Sequence, residues 1–149
     1  MKRYIYLISP QKIRGLKFYK ELNQILKTNK VKYFQLRLKK IPTSNLLKIS
    51  KKIKKIVKKN NVKFLINDNP VIAKVVGADG CHIGQKDMNF ASSRKILGKK
   101  KIIGVTCHNS KKLIKKAAED SNIVLSKSSL SKLIKNQEMF RRENEVLMW

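Results

Sequence analysis

Short apolar runs alternate with longer stretches in which apolar side chains recur every three or four positions. Tyr4–Ile8 (YIYLI), Val31–Leu36 (VKYFQL) and Val62–Ile66 (VKFLI) carry the β-branched and aromatic residues of strands. Between the first two, Leu16, Tyr19, Leu22, Ile25 and Leu26 predict one apolar stripe on a helix over Leu16–Thr28. Leu46, Leu47, Ile49, Ile53, Ile56 and Val57 predict a second helix, capped by Thr43 or Ser44 and ended by Asn60 and Asn61. Pro70 suits the first turn of a short helix to Val76. Gly80–Ile83 then reads as a fourth strand, Phe90–Leu97 as a helix stopped by Gly98, and Lys101–Thr106 as a fifth strand. Ser110 is placed to cap Lys111–Glu119, and Asn122–Leu125 is the candidate sixth strand.

Strands alternating with helices are the mark of βα units and a parallel sheet. A doubly wound sheet and a (β/α)8 barrel both fit that pattern. A complete barrel needs about 200 residues or more, and the chain has 149. Ser126–Trp149 breaks the alternation: a Ser/Lys run leads into a mixed-charge, helix-like piece with no convincing strand. The expected division is a partial βα barrel over 1–125 and a divergent tail over 126–149.

Charge changes this picture less than its size suggests. Thirty-six Lys and Arg against nine Asp and Glu give a net charge of +27. Phosphate neutralisation by such a surface would favour nucleic acid. Yet the basic residues are nearly all Lys, spread from Lys2 to Lys135, with no aromatic interleaving and no nucleic-acid motif. A basic nucleic-acid-binding module is therefore the weaker reading. The same field would steer a small phosphorylated substrate to a cleft. No apolar run approaches the ~18 residues of a bilayer span, so no membrane association is expected, and a cytoplasmic location is the default expectation. Cys81 and Cys107 form no disulfide framework. With His82 and His108 they form adjacent pairs, but neighbours on a strand face opposite sides and the spacing matches no zinc pattern. The cysteines read as small core residues.

In parallel α/β folds ligands sit at the carboxyl ends of the strands. After the second strand, Gln35, Arg37 and Lys39 share one side of an extended chain, an amide and two cations suited to a diphosphate. In the first 67 positions the sole acid is Glu21; then Asp68, Asp79 and Asp87 fall close together. Asp68 follows Asn67 at the end of the third strand, and Asp87 sits in the turn after the fourth. Each alone reads as a cap or turn residue. Together, facing two cations and an amide, they suggest Mg²⁺, which favours a few carboxylates plus substrate phosphate oxygens. Thr106 ends the fifth strand with a hydroxyl.

Taken in order, Tyr6-Leu7-Ile8-Ser9-Pro10, Gln35-Leu36-Arg37-Leu38-Lys39, Ile66-Asn67-Asp68, the run Gly77–Asp87 and Ile103-Gly104-Val105-Thr106-Cys107-His108 resemble thiamine phosphate synthase. The resemblance runs from about Tyr4 to Ala118. It implies a (β/α)8 barrel, here incomplete, with about five or six βα units. It implies a transferase that joins hydroxymethylpyrimidine diphosphate to thiazole phosphate and releases diphosphate. Carried over by the resemblance, Gln35, Arg37, Lys39, Asn67 and Thr106 bind substrate, Arg37 and Lys39 stabilise the leaving group, and Asp68 and Asp87 hold Mg²⁺. Thr106 stands where the family usually has Ser. The family's later phosphate loops, which hold the thiazole phosphate, have no counterpart after Glu119, so an inactive, truncated chain is an open alternative. The related thiazole tautomerase is another, with His82 or His108 as its proton carrier, but it tends to lack the paired acids. A homo-oligomer is left open.

Overall fold

The computed structural model describes residues 4–107, 110–112, 114–115, 123–125 and 146–147. Five strands and four helices alternate: β1 Tyr4–Ile8, α1 Lys17–Leu26, β2 Val31–Leu36, α2 Thr43–Lys59, β3 Lys63–Asn67, α3 Pro70–Val76, β4 Gly80–Ile83, α4 Phe90–Leu97 and β5 Ile102–Thr106. Two short strands follow, β6 Ile123–Leu125 and β7 Val146–Leu147. All pair in parallel in one sheet of order β6-β5-β4-β3-β2-β1-β7.

That order decides between the two architectures. From β1 to β6 each strand lies beside its sequence neighbour, with no point at which the order reverses. A doubly wound sheet requires such a reversal. The sheet is also strongly curved. β1 and β4 are three strands apart, which in a flat sheet is about 14 Å at ~4.8 Å per strand. Yet the Tyr6 hydroxyl lies 3.2 Å from Nδ1 of His82. The fold is thus an incomplete (β/α)8-type barrel, a half-barrel with a concave inner face.

Strand alternation sorts the side chains between the faces. Phe34, Leu36, Phe64, Ile66, Cys81, Ile83, Ile103 and Val105 point outward and form the main core with Leu22, Leu26, Ile53, Val57, Ile72 and Ala73 of the helices. Tyr6 and Leu65, with Ile8, Tyr33 and Ile102, make a second, smaller cluster on the inner face. Both cysteines are free and buried, as the sequence suggested.

Several local expectations shift. The α1 stripe is narrower than its spacing implies: Leu22 and Leu26 are buried, whereas Leu16 and Ile25 are exposed. Leu16 precedes the first helical turn, and Ile25 falls beyond the arc that faces the sheet. Helix α2 takes Pro42 as its N-cap, without a side-chain cap, and Thr43 is already helical. Pro42 is pre-set to φ −57° and its carbonyl accepts from Leu46 N, so neither Thr43 nor Ser44 is needed. β3 starts one residue late and includes Asn67. The tail, read as lacking a strand, contributes β7, which pairs Val146 and Leu147 with Tyr4 and Ile5. Two residues held by backbone bonds to a neighbouring strand need no alternating pattern, so composition gave no sign of it. The remainder of 126–149 lies outside the described residues, as do His108 and most of the helix expected after Ser110.

One cap matters for the site. Helix α3 begins at Pro70, and the Asn69 side chain accepts from Ile72 N at 2.9 Å. Asn69→Ala should lower unfolding stability by about 1 kcal/mol, read from the urea midpoint. Because Asn69 holds the cap, Asp68 is released from that duty.

Candidate active site

The carboxyl ends of β1 to β5 form one rim, and the sequence-predicted residues meet there. Gln35 is the penultimate residue of β2 and almost fully buried on the inner face. Its Nε2 donates to Oδ1 of Asn67, which ends β3. Its Oε1 accepts from the Tyr6 hydroxyl at 2.9 Å. Just beyond β2, Arg37 N donates to Ser9 Oγ at 2.9 Å, and Ser9 N to Gln35 O at 2.9 Å, so the loop after β1 fixes the chain that carries Arg37. Lys39 N reaches Gln11 O at 3.4 Å.

Asp68 is where these strands converge. It holds φ +61°, a left-handed conformation in which non-glycine residues are uncommon and Asp is among the tolerated. Its N–H donates to the His82 carbonyl at 2.7 Å, tying it to β4. Its carboxyl shares a hydrogen bond with that of Asp87. Partial desolvation first, then the hydrogen bond and the charge of Asp87, push the Asp68 pKa up to about 6, against the pull of Lys39 and Arg37. Two cations and two carboxylates from three different loops therefore act on one another at one rim. Asp87 also serves its own turn: Oδ2 accepts from Gly84 N at 2.6 Å, leaving Oδ1 for a ligand.

Thr106, at the end of β5, contacts Nε2 of His82 through Oγ1 at 2.8 Å, and its carbonyl accepts from Gln85 Nε2 at 2.6 Å. His82 is nearly fully buried, and that burial pulls its pKa down to about 4, opposed by Asp87. Gly104 makes space for it: a Cβ there would collide with Nδ1 of the ring.

Asp79 does not join the group. It precedes β4, so it lies at the opposite end of the sheet, where Oδ2 accepts from Phe64 N at 2.9 Å and Oδ1 faces Lys63 at 3.5 Å. Sequence reading missed Tyr6, and it considered His82 as a proton carrier or, briefly, a zinc ligand, not as a buried link. Alternation does put Tyr6 on the inner face, but its partners, Gln35 and His82, lie one and three strands further along the chain. Beside Lys39, a pocket of about 410 Å³ is lined by Lys12, Arg14, Lys40 and Lys48 among others, with no acid in its wall. It extends the positive field of the rim toward anions.

A cation fits the donor set. Asp68 and Asp87 offer hard oxygens close enough to repel when both are ionised, and a divalent ion relieves that repulsion. Among the described residues no cluster of three or more His, Cys, Asp or Glu exists, so two carboxylates suit an ion that takes its other ligands from phosphate and water. No helix of the described residues is long and apolar enough to cross a membrane.

Fold and rim together define a βα-barrel protein that gathers two cations and two carboxylates at its strand ends. The family model described as thiamine monophosphate synthase matches residues 5–127, and the chain belongs to that family. A thiamine-phosphate synthase of Pelagibacter ubique is 59% identical over 119 residues, covering 80% of this chain and 57% of the relative. One from Rhodospirillum centenum is 30% identical over 145 residues, covering 97% of this chain and 70% of the relative. The chain thus spans little more than half the length of the Pelagibacter protein. The thiamine phosphate pyrophosphorylase of Pyrococcus furiosus superposes with a TM-score of 0.80 at 21% identity, over 99% of this chain and 74% of that one, which shows the shared fold.

Proposed function

We propose that this chain binds hydroxymethylpyrimidine diphosphate at the rim and supplies the diphosphate-releasing half of a thiamine phosphate synthase site. The observation that carries this reading is the placement of Arg37, Lys39, Asp68 and Asp87 in the loops that follow β2, β3 and β4, at one rim of the sheet, where Asp68 lies within reach of the other three. Arg37 presents a planar fork and Lys39 a point charge to the diphosphate. Gln35, Asn67 and Thr106 face the pyrimidine. Asp68 and Asp87 would hold Mg²⁺, which when bound supplies a hard Lewis acid for the diphosphate oxygens.

In the reaction, the bond between the pyrimidine methylene carbon and the diphosphate oxygen breaks, and its electron pair leaves with diphosphate. The lone pair of the thiazole nitrogen then forms the new carbon–nitrogen bond to the resulting cation. Arg37 and Lys39 stabilise charge where it develops, on the leaving group. An aromatic nitrogen needs no base to activate it. His82 accordingly has both ring nitrogens engaged, by Tyr6 and Thr106, which speaks against its moving protons in a tautomerase. The thiazole phosphate is assigned to no described residue.

Isothermal titration of the chain with hydroxymethylpyrimidine diphosphate, with and without Mg²⁺, tests the proposal. Binding should need the cation and should weaken about 100-fold in Arg37→Ala, the loss of a bidentate charged contact. Equal affinity with and without Mg²⁺ would remove the role given to the two aspartates.

A further inference from the structure

We infer that Tyr6 and His82 are positioning residues that set the hydrogen-bonding polarity of the ligand face: donors at Gln35 and Asn67, a bare acceptor oxygen at Thr106. The side chains on the inner face carry this step by step. The Gln35 carbonyl oxygen can only accept, so the Tyr6 hydroxyl donates to it at 2.9 Å. That spends the single proton of Tyr6, whose oxygen must then accept from Nδ1 of His82 at 3.2 Å. His82 is buried, and both of its ring nitrogens face hydroxyls rather than a carboxylate, so the ring is neutral and its one proton is on Nδ1. Nε2 is bare, and Thr106 Oγ1 donates to it at 2.8 Å. At the other end Gln35 Nε2 donates to Asn67 Oδ1.

Every bond in this chain runs the same way, from Thr106 through His82, Tyr6 and Gln35 to Asn67, across five strands. Its two ends therefore differ. The Asn67 end keeps N–H groups for a ligand, while Thr106 keeps lone pairs, its proton being committed. The complementary ligand is a nitrogen heterocycle with a ring acceptor for the Asn67 end and an exocyclic amine for Thr106. An oxo group in place of that amine would set oxygen against oxygen. This ligand assignment rests on the proposed function; the direction of the chain does not.

Two measurements separate the claims. Long-range proton–nitrogen correlations, with His108→Gln to assign the two histidines, should show the His82 proton on Nδ1. A proton on Nε2 in the unaltered chain overturns the inference. Titration should then give at least tenfold preference for hydroxymethylpyrimidine diphosphate over its analogue with oxo in place of amine. In Tyr6→Phe, Gln35 loses its fixed donor, so the preference should fall to within about threefold while binding of inorganic diphosphate stays within twofold. An unchanged preference in Tyr6→Phe also overturns the inference. If the unaltered chain binds neither pyrimidine nor inorganic diphosphate, the proposed function fails, and the position of the His82 proton alone decides the chain's direction.

Discussion

Asp68→Asn should stabilise the ligand-free chain above pH 6 and, in the same protein, weaken Mg²⁺-dependent binding of the pyrimidine diphosphate about 100-fold. The first effect follows from linkage. The folded Asp68 carboxyl titrates at about 6, above its ordinary value of 3.8. A raised carboxyl favours the folded state while it is protonated in that state. The contribution is complete below the unfolded value and is lost as pH rises through about 6. Above that pH the ionised Asp68 faces Asp87. Exposure to solvent and the nearby Arg37 and Lys39 hold the cost to about 1 kcal/mol. Asparagine removes the charge and keeps the shape. The second effect has the opposite sign: the repulsion that destabilises the empty rim is what a divalent ion relieves, so losing one carboxylate should remove about 2.7 kcal/mol of binding, or two decades. Melting temperatures at pH 5 and pH 8, with and without Mg²⁺, provide the check. The variant's advantage at pH 5, between the ordinary value of 3.8 and the folded value of about 6, should be about half of that at pH 8. At pH 8 the variant should be more stable without the ion, and only the parent should gain from adding it. A parent that melts higher than the variant at pH 8 without Mg²⁺ would contradict the account of two repelling carboxylates.

Much of this rim is readable from the sequence because it depends on local rules. Gln35, Arg37 and Lys39 share a side through strand alternation, and Asn67, Asp68 and Thr106 stand where strands end. Whether Asp68 was a cap could be settled only by seeing Asn69 take that place. The curvature of the sheet was not legible, and with it went Tyr6. Its contact with His82 joins strands that would stand far apart in a flat sheet. Asp79 was grouped with the other acids by nearness in sequence, although a residue before a strand and one after it lie at opposite ends. Leu16 and Ile25 fit the helical period, but period alone does not say how wide an arc the sheet covers.

The same curvature leads to a second large effect, at Gly104. In parallel register Gly104 lies beside His82 on the inner face, and an added methyl would strike Nδ1 of the ring. The ring has no easy retreat, since Tyr6 holds one nitrogen and Thr106 the other. Gly104→Ala should therefore cost about 3 kcal/mol, at the upper end of ordinary overpacking. His82→Ala should also be costly, about 2 to 3 kcal/mol, through the cavity and the loss of the ring's hydrogen bonds to the Tyr6 and Thr106 hydroxyls. Combined, the two changes should cost about 2 kcal/mol less than their sum, because the smaller side chain vacates the space the new methyl needs. Urea midpoints of the parent, both single variants and the double variant measure that difference. Strict additivity would mean that Gly104 is required for its backbone alone and that the ring is free to move. A favourable coupling instead shows that the glycine on β5 exists to seat the histidine on β4, and through it the hydroxyl at the end of β5.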